Sequence, residues 1–327
     1  MLNKGILIIS FIFFFSTIVI SFVFASESEV LPKNVLRLRL GYLYAKAKDK
    51  YNSSGKKIEL VPDIQSVVPP GTVTGDGKLV AQCASLILEY GFTDRLTGQI
   101  LVPYYTDRYL KHNFGWQGAA VFKETVLNNM NQTYPDLRGE GIGDIVTGLQ
   151  YRFLGENRNL NKPFPQYESA VALGVRWPTG EKNDPNNPDD FYTGDGQTDI
   201  GLWYFADAHL NKYLSLGMGI KYENQLKCDE RNLGDYILTK WLISSFIKDF
   251  ELSFVFNADF KTKDRVDGHK KEDSGTEFYS IGPRIKYYSF KTKIPYQLNF
   301  EYSYPIDGRN TYATEKYVFD IRIYYKF

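Results

Sequence analysis

After residue 25 the chain has no further apolar run long enough to form a membrane helix, which excludes a polytopic helical membrane protein. An excess of one charge is also missing. Lys and Arg number 39 against 38 Asp and Glu, a formal net charge of +1, so no nucleic acid or other polyanion is expected as a partner. Three histidines, His112, His209 and His269, are too few and too scattered to read as a metal site. There is no Gly-x-Ser-x-Gly, zinc-binding helix or phosphate loop, so no cofactor is expected. Two cysteines, Cys83 and Cys228, fall on elements well apart and are read as unpaired.

Aromatic residues are plentiful. The 25 Tyr and 23 Phe exceed what a soluble core needs, and they suit a protein that places rings at both interfaces of a membrane. Lys4 precedes an apolar and small-residue run from Gly5 to Ala25, and Val23-Phe24-Ala25 before Ser26 reads as a processing site. Residues 1–25 are therefore expected to be a secretory signal, with an uncleaved anchor helix as the alternative. Residues 26–34 form a short polar periplasmic lead, too brief for a plug domain, and residues 35–327 a single domain.

The last stretch sets the pattern for that domain. Tyr317, Phe319, Ile321, Ile323, Tyr325 and Phe327 share one face of a strand, and Val318, Asp320, Arg322, Tyr324 and Lys326 the other. Residues 35–47 repeat it, with Leu36, Leu38, Leu40, Tyr42 and Tyr44 against Arg37 and Arg39. Further strands are expected at 79–90, 96–105, 143–154, 167–177, 198–210, 213–223, 236–247, 250–261, 279–287 and 296–304. In 236–247 both faces carry apolar residues, so its register stays open. Residues 48–78 and 106–141 read as long connections, the first broken hard at Pro69-Pro70-Gly71. Short turns alternate with long loops. The implied fold is an all-β, transmembrane, antiparallel up-and-down barrel of about twelve strands, with short periplasmic turns and long extracellular loops.

Period alone does not say which face turns inward. The terminal Phe327 resembles the assembly signal of bacterial outer-membrane barrels, and on that orientation the ionic face lines the bore. Expected lumen residues are Arg37, Arg39, Glu89, Arg152, Arg176, Lys221, Glu223, Arg284, Lys286, Glu301 and Arg322. Trp203 and Phe205 join them as an apolar patch that either holds a solute or packs against an inward-folded loop such as residues 48–78. Asp207 and His209 share a strand face near a periplasmic turn and read as a polar inner wall close to water. The acidic group Glu181, Asp184, Asp189, Asp190, Asp195 and Asp199 matches no calcium-loop spacing and reads as a solvated outer loop.

Several segments resemble the outer-membrane barrel family labelled "MetA-pathway of phenol degradation". They are Gly141-Ile142-Gly143-Asp144 running to Tyr151-Arg152-Phe153, Trp177-Pro178-Thr179-Gly180, and Gly196-Gln197-Thr198-Asp199-Ile200-Gly201-Leu202 leading to Asn211-Lys212-Tyr213. Gly91-Phe92-Thr93-Asp94-Arg95-Leu96 is similar to that family's first periplasmic turn. The resemblance implies a non-enzymatic outer-membrane channel or transporter for passive uptake of small molecules, hydrophobic or aromatic compounds among them. Its expected location is the outer membrane of a Gram-negative-type bacterium, and its expected partners are outer-membrane lipid, the barrel assembly machinery and a small-molecule solute. The alternatives are an outer-membrane hydrolase with a site at the lumen rim, and a structural or adhesive barrel with a blocked lumen.

Overall fold

The computed structural model describes residues 28–61, 64–67, 70–133, 135–181, 191–194, 196–226, 231–232, 234–266, 269–271 and 274–327. Residues 1–25, expected to be a secretory signal, and Asp184, Asp189, Asp190, Asp195 and Cys228 lie outside the described residues. Twelve strands form the barrel wall: β1 (Val35–Ala47), β2 (Pro70–Thr93), β3 (Leu96–Gly118), β4 (Ile145–Leu154), β5 (Gln166–Trp177) and β6 (Asp199–His209) make up the first half. The second half is β7 (Leu214–Gln225), β8 (Tyr236–Ile247), β9 (Phe250–Lys261), β10 (Thr276–Ser289), β11 (Tyr296–Arg309) and β12 (Glu315–Lys326). Each strand pairs antiparallel with its neighbours in sequence, and the ring closes where β1 meets β12, from Val35 opposite Lys326 to Lys46 opposite Glu315. The twelve-stranded up-and-down barrel expected from the alternation is present, and the register left open in residues 236–247 is fixed with Lys240 turned inward and Trp241 outward.

Two expectations about the connections need correction. The β2–β3 hairpin is 24 and 23 residues long, so strand runs through residues expected to be loop on both sides. Pro70 is the first residue of β2, where its missing N–H is tolerated. The 106–141 stretch continues β3 to Gly118, then forms helix α1 (Lys123–Thr133) and a short strand, Leu137–Ile142, that pairs back onto β3. Beyond the bilayer both faces of a strand meet water or protein, so nothing there enforces a greasy-polar alternation. Glycines replace it: a Cβ on Gly75 would lie 2.3 Å from Val61 Cγ1, so the β1–β2 connection packs flat on this part of β2.

The wall is inside-out relative to a soluble barrel. Leu40, Leu88, Leu149, Leu173, Leu202, Phe254, Phe300 and Phe319 are exposed on the exterior, while the alternating positions between them are buried and largely ionic. Such an exterior is stable only against lipid, and closure leaves no unpaired strand edge within the ring. Among the described residues no helix is long and apolar enough to cross a membrane.

Inside, the two ends differ. Towards the long loops the bore carries an apolar cluster of Leu43, Ala45, Ala81, Cys83, Tyr105 and neighbours, joined by Leu60 and Val61 from the β1–β2 connection and Phe191 from the β5–β6 connection. Paired charges line the rest, towards the short turns at Arg37, Glu89, Glu251 and Arg284 and towards the long loops at Arg176, Asp199, Lys221 and Glu223.

Candidate functional site

Ion pairs in the bore follow from register. Arg37 and Glu89 are direct partners across the β1–β2 ladder, and the guanidinium meets the carboxylate twice, Nε to Oε2 at 2.5 Å and Nη2 to Oε1 at 2.9 Å. Arg322 and Asp320 sit two apart on one face of β12, with Nε 2.8 Å from Oδ1, and Arg39 Nη2 lies 3.9 Å from the same carboxylate. Glu251 gathers Arg284 at 2.6 Å, Lys286 at 3.4 Å and the Tyr288 hydroxyl at 2.5 Å. On the facing wall Arg176 binds Asp199 and reaches Glu223 at 2.6 Å, and Lys221 holds the other Glu223 oxygen at 2.5 Å. Lys240 on β8 meets Glu301 on β11 at 2.7 Å, an ion pair that passes over two intervening strands and so cuts across the bore. Charges this buried persist only when paired in this way.

All the lumen positions expected from sequence face the interior. Arg37, Arg39, Glu89, Arg152, Arg176, Lys221, Glu223, Arg284, Lys286 and Arg322 are buried, and Glu301 is half-buried. Sequence reasoning left Lys240, Glu251, Asp320, Asp199, Glu168 and Glu29 out of that set. Glu168, Asp199 and Asp320 share parity with Arg176, Trp203 and Arg322 on their own strands, and Glu251 lies opposite the Leu252–Phe254 face, so alternation carried the signal. Lys240 is the one ionic residue in a strand apolar on both faces, and that alone marks its inner side.

Trp203 and Phe205 lie inside the wall, only 3% and 2% exposed. The Trp203 ring lies flat over two glycines: a Cβ on Gly201 would be 2.2 Å from it and one on Gly174 3.0 Å. Lys221 Nζ stands 5.3 Å from the centroid of the ring. Trp203, Phe205, Leu60 and Val61 belong to one apolar cluster, so the patch shares its surroundings with an inward-folded part of residues 48–78.

At the short-turn end the lead is seated inside the mouth. Ser28, Val30 and Leu31 are buried. Ser28 donates from its N–H (2.9 Å) and its Oγ (2.7 Å) to Asp207 Oδ2, and Glu29 pairs with Arg37 at 3.0 Å. Leu31 N–H donates to Thr97 Oγ1 at 2.8 Å, and Asn157 Nδ2 donates to the Val30 carbonyl at 2.9 Å. Gly91 makes room for the crossing, since a Cβ there would come 2.1 Å from the Pro32 carbonyl oxygen. Though only a few residues long, the lead stretches from β1 to the β6 wall. Beside it is a cavity of about 460 Å³ whose lining includes Glu29, Glu168, Asp207, His209, Ser215 and Glu251.

His209 is buried, with Nδ1 2.6 Å from Ser215 Oγ and Nε2 3.2 Å from Glu168 Oε1. His112 stacks on Phe114 in the outer part of β3, and His269 is exposed on a loop strand. Cys83 is buried and carries a free thiol. Asp199 is fully buried against Arg176 rather than solvated in an outer loop, because it opens β6 with its side chain inward. Phe327 is exposed, and its N–H donates to the Asn34 carbonyl at 3.0 Å. Among the described residues no group of three or more His, Cys, Asp or Glu could hold a metal ion.

The fold is that of a transmembrane outer-membrane β-barrel. No family profile and no curated protein matches the chain. Among solved structures it is similar to the COG4313 outer membrane channel from Pseudomonas putida F1, with a TM-score of 0.64 and 16% identity over 92% of this chain and 98% of that one. It is more distantly similar to the NanC porin, with a TM-score of 0.43 and 11% identity over 89% and 100% of the two chains. The corresponding values for the CymD monoaromatic hydrocarbon channel are 0.33 and 9%, over 91% and 89%. The first of these likenesses agrees with the barrel that the sequence resemblance implied; at this identity it is a likeness of fold.

Proposed function

We propose that this barrel is an outer-membrane conduit for passive entry of small molecules, with hydrophobic or aromatic compounds as its cargo class. The observation that carries this reading is the placement of Trp203 and Phe205 in the apolar part of the bore, beside the ionic wall of Arg176, Lys221 and Glu223, with a polar cavity at the opposite mouth. An apolar face beside a charged wall gives a solute a surface to leave lipid for, and the paired charges set a field across the path. The first solved structure it resembles is itself described as an outer membrane channel. Uptake into liposomes loaded with purified protein tests the proposal. Aromatic solutes should enter faster than through empty vesicles, and Trp203→Ala should slow them more than it slows small ions. No uptake above empty vesicles for any solute would sink it.

One observation favours a second reading. Ser215, His209 and Glu168 form a hydroxyl–imidazole–carboxylate relay of the kind that activates a serine nucleophile. Yet the inner-wall N–H groups around Ser215 belong to the β6–β7 and β7–β8 ladders, so they do not converge as an oxyanion hole. A fluorophosphonate probe decides between the two: covalent labelling of Ser215 that His209→Ala abolishes would favour hydrolysis, and no labelling would favour the conduit.

A further inference from the structure

Lys78 on β2 and Lys111 on β3 are direct register partners on the outside of the barrel. Both are exposed, and both ammonium groups stand over one ring, that of Tyr109: Lys78 Nζ is 5.9 Å from its centroid and Lys111 Nζ 5.2 Å. Like charges set directly opposite each other on neighbouring strands destabilise a sheet. Neither lysine has an ion-pair partner among the described residues, and Asp76, two residues further along the same face of β2, reaches neither of them.

Their height on the wall follows from register. Tyr42, Ala84, Tyr104 and Ile142 make one outward rung across β1, β2, β3 and the short strand Leu137–Ile142, and Tyr42, Tyr104 and Ile142 are exposed there to lipid. Lys46, Val80, Tyr109 and Arg138 make another rung, two outward positions further along β2. At about 3.3 Å per residue and a strand tilt of about 40°, the second rung lies about 10 Å further from the bilayer centre. Headgroups extend about 5–8 Å beyond the hydrocarbon on each side, so Tyr109 and the two lysines that lean on it stand at headgroup level. The other two cations of the patch already have carboxylates: Lys46 meets Glu315 at 3.1 Å and Arg138 meets Asp107 at 3.5 Å. Val80 faces outward yet is only 1% exposed, as it would be beneath a ring and lysine stems.

We propose that Lys78, Lys111 and Tyr109 form an external site for a phosphorylated glycolipid of the outer leaflet, with a phosphate monoester of its sugar headgroup bridging the two ammonium groups. Such a phosphate carries about −1.5 to −2 charges at pH 7 and three acceptor oxygens, so one group offsets both lysines where a carboxylate would offset one. The acyl chains of the same molecule then lie along the apolar rung of Tyr42, Tyr104 and Ile142. Binding turns a repulsive pair into an anchor, and it ties the β2–β3 hairpin, with strands of 24 and 23 residues, to the membrane surface. The site is on the outside of the barrel and stands whether or not a solute crosses the bore.

Lipid binding to the purified protein in mild detergent tests the proposal. The protein is titrated with diphosphorylated lipid A and with the same lipid after enzymatic removal of its phosphates, and bound lipid is counted by native mass spectrometry. The phosphorylated form should bind at least tenfold more tightly, and less so at high salt. Replacing both lysines, Lys78→Gln with Lys111→Gln, should remove most of that preference, while Lys46→Gln, whose charge is already paired, should change it less than twofold. Each variant is checked for folding by heat-modifiable gel mobility, and the single lysine variants serve if the double one does not fold. Inorganic phosphate and phosphatidylglycerol should each bind at least tenfold more weakly than lipid A. Equal binding of the two forms of lipid A would overturn the proposal, as would a preference that survives loss of the lysines. So would a loss with Lys46→Gln as large as with the pair, which would mean diffuse charge rather than a site. Inorganic phosphate or phosphatidylglycerol binding as tightly as lipid A would equally overturn it, since the site would then read any anion.

Discussion

Arg37 and Glu89 face each other on the first two strands of the ring and are joined by two hydrogen bonds inside the bore, while the same guanidinium holds Glu29 of the lead. One side chain therefore ties the wall and the mouth together. Arg37→Ala should destabilise the barrel by about 3–5 kcal/mol, because it strands a buried carboxylate, whereas replacing both partners with apolar residues of similar size should come close to neutral. Urea unfolding of refolded protein, followed by gel mobility, measures both. A single variant as stable as the wild type would show that Glu89 has found another partner.

Removing residues 26–33 should open the short-turn mouth. Ser28, Val30 and Leu31 are buried there, and their hydrogen bonds run to Asp207, Asn157 and Thr97 on separate parts of the wall. Single-channel current in planar bilayers should at least double for the truncated protein. An unchanged current would place the narrowest point among the paired charges above.

Gly201→Ala should displace the Trp203 indole from the wall, because the added carbon would lie 2.2 Å from the ring; Gly174→Ala, at 3.0 Å, should do so less. Overpacking of this kind costs about 1–3 kcal/mol. Stability and aromatic uptake should fall in the order wild type, Gly174→Ala, Gly201→Ala, measured by urea unfolding and liposome flux. The reverse order would mean that the ring can turn freely.

Phe327→Ser should lower the amount of barrel assembled in cells several-fold while changing the stability of refolded protein by no more than about 0.5 kcal/mol, since the side chain is exposed and the backbone bond to Asn34 is kept. Heat-modifiable mobility of membrane fractions and urea unfolding give the two readings. A matching loss in both would make Phe327 a packing residue rather than a signal.

The transmembrane part of the fold was legible because lipid outside and ions inside force every strand to alternate. Residues 35–47, 236–247 and 250–261 were located to the residue as β1, β8 and β9. Where that constraint ends, so did the legibility. Residues 70–78 and 106–118 are strand but carry no two-faced pattern, and Lys123–Thr133 forms a helix with no deeply apolar face. Ser28-Glu29-Val30-Leu31 is too short to show any period, so its place inside the mouth could only come from coordinates. The ion pairs were half visible. Parity put Arg37, Glu89, Arg322 and Asp320 on inner faces, but Lys240 with Glu301 joins strands whose proximity across the bore depends on how the ring closes.

The seam between Val35 and Lys326 lies beside strands that follow one another in simple succession around the wall. Such a ring has no privileged starting point. If the existing ends, already bridged by the Phe327 to Asn34 bond, were linked and the chain reopened in an outer loop, the permuted protein should rebuild the same cylinder. Only the lead would lose its place, because a segment joined to Phe327 would have to run out of the mouth rather than across it to Asp207. Order of synthesis and order of architecture are separable here, except at the one short segment that is seated in the mouth.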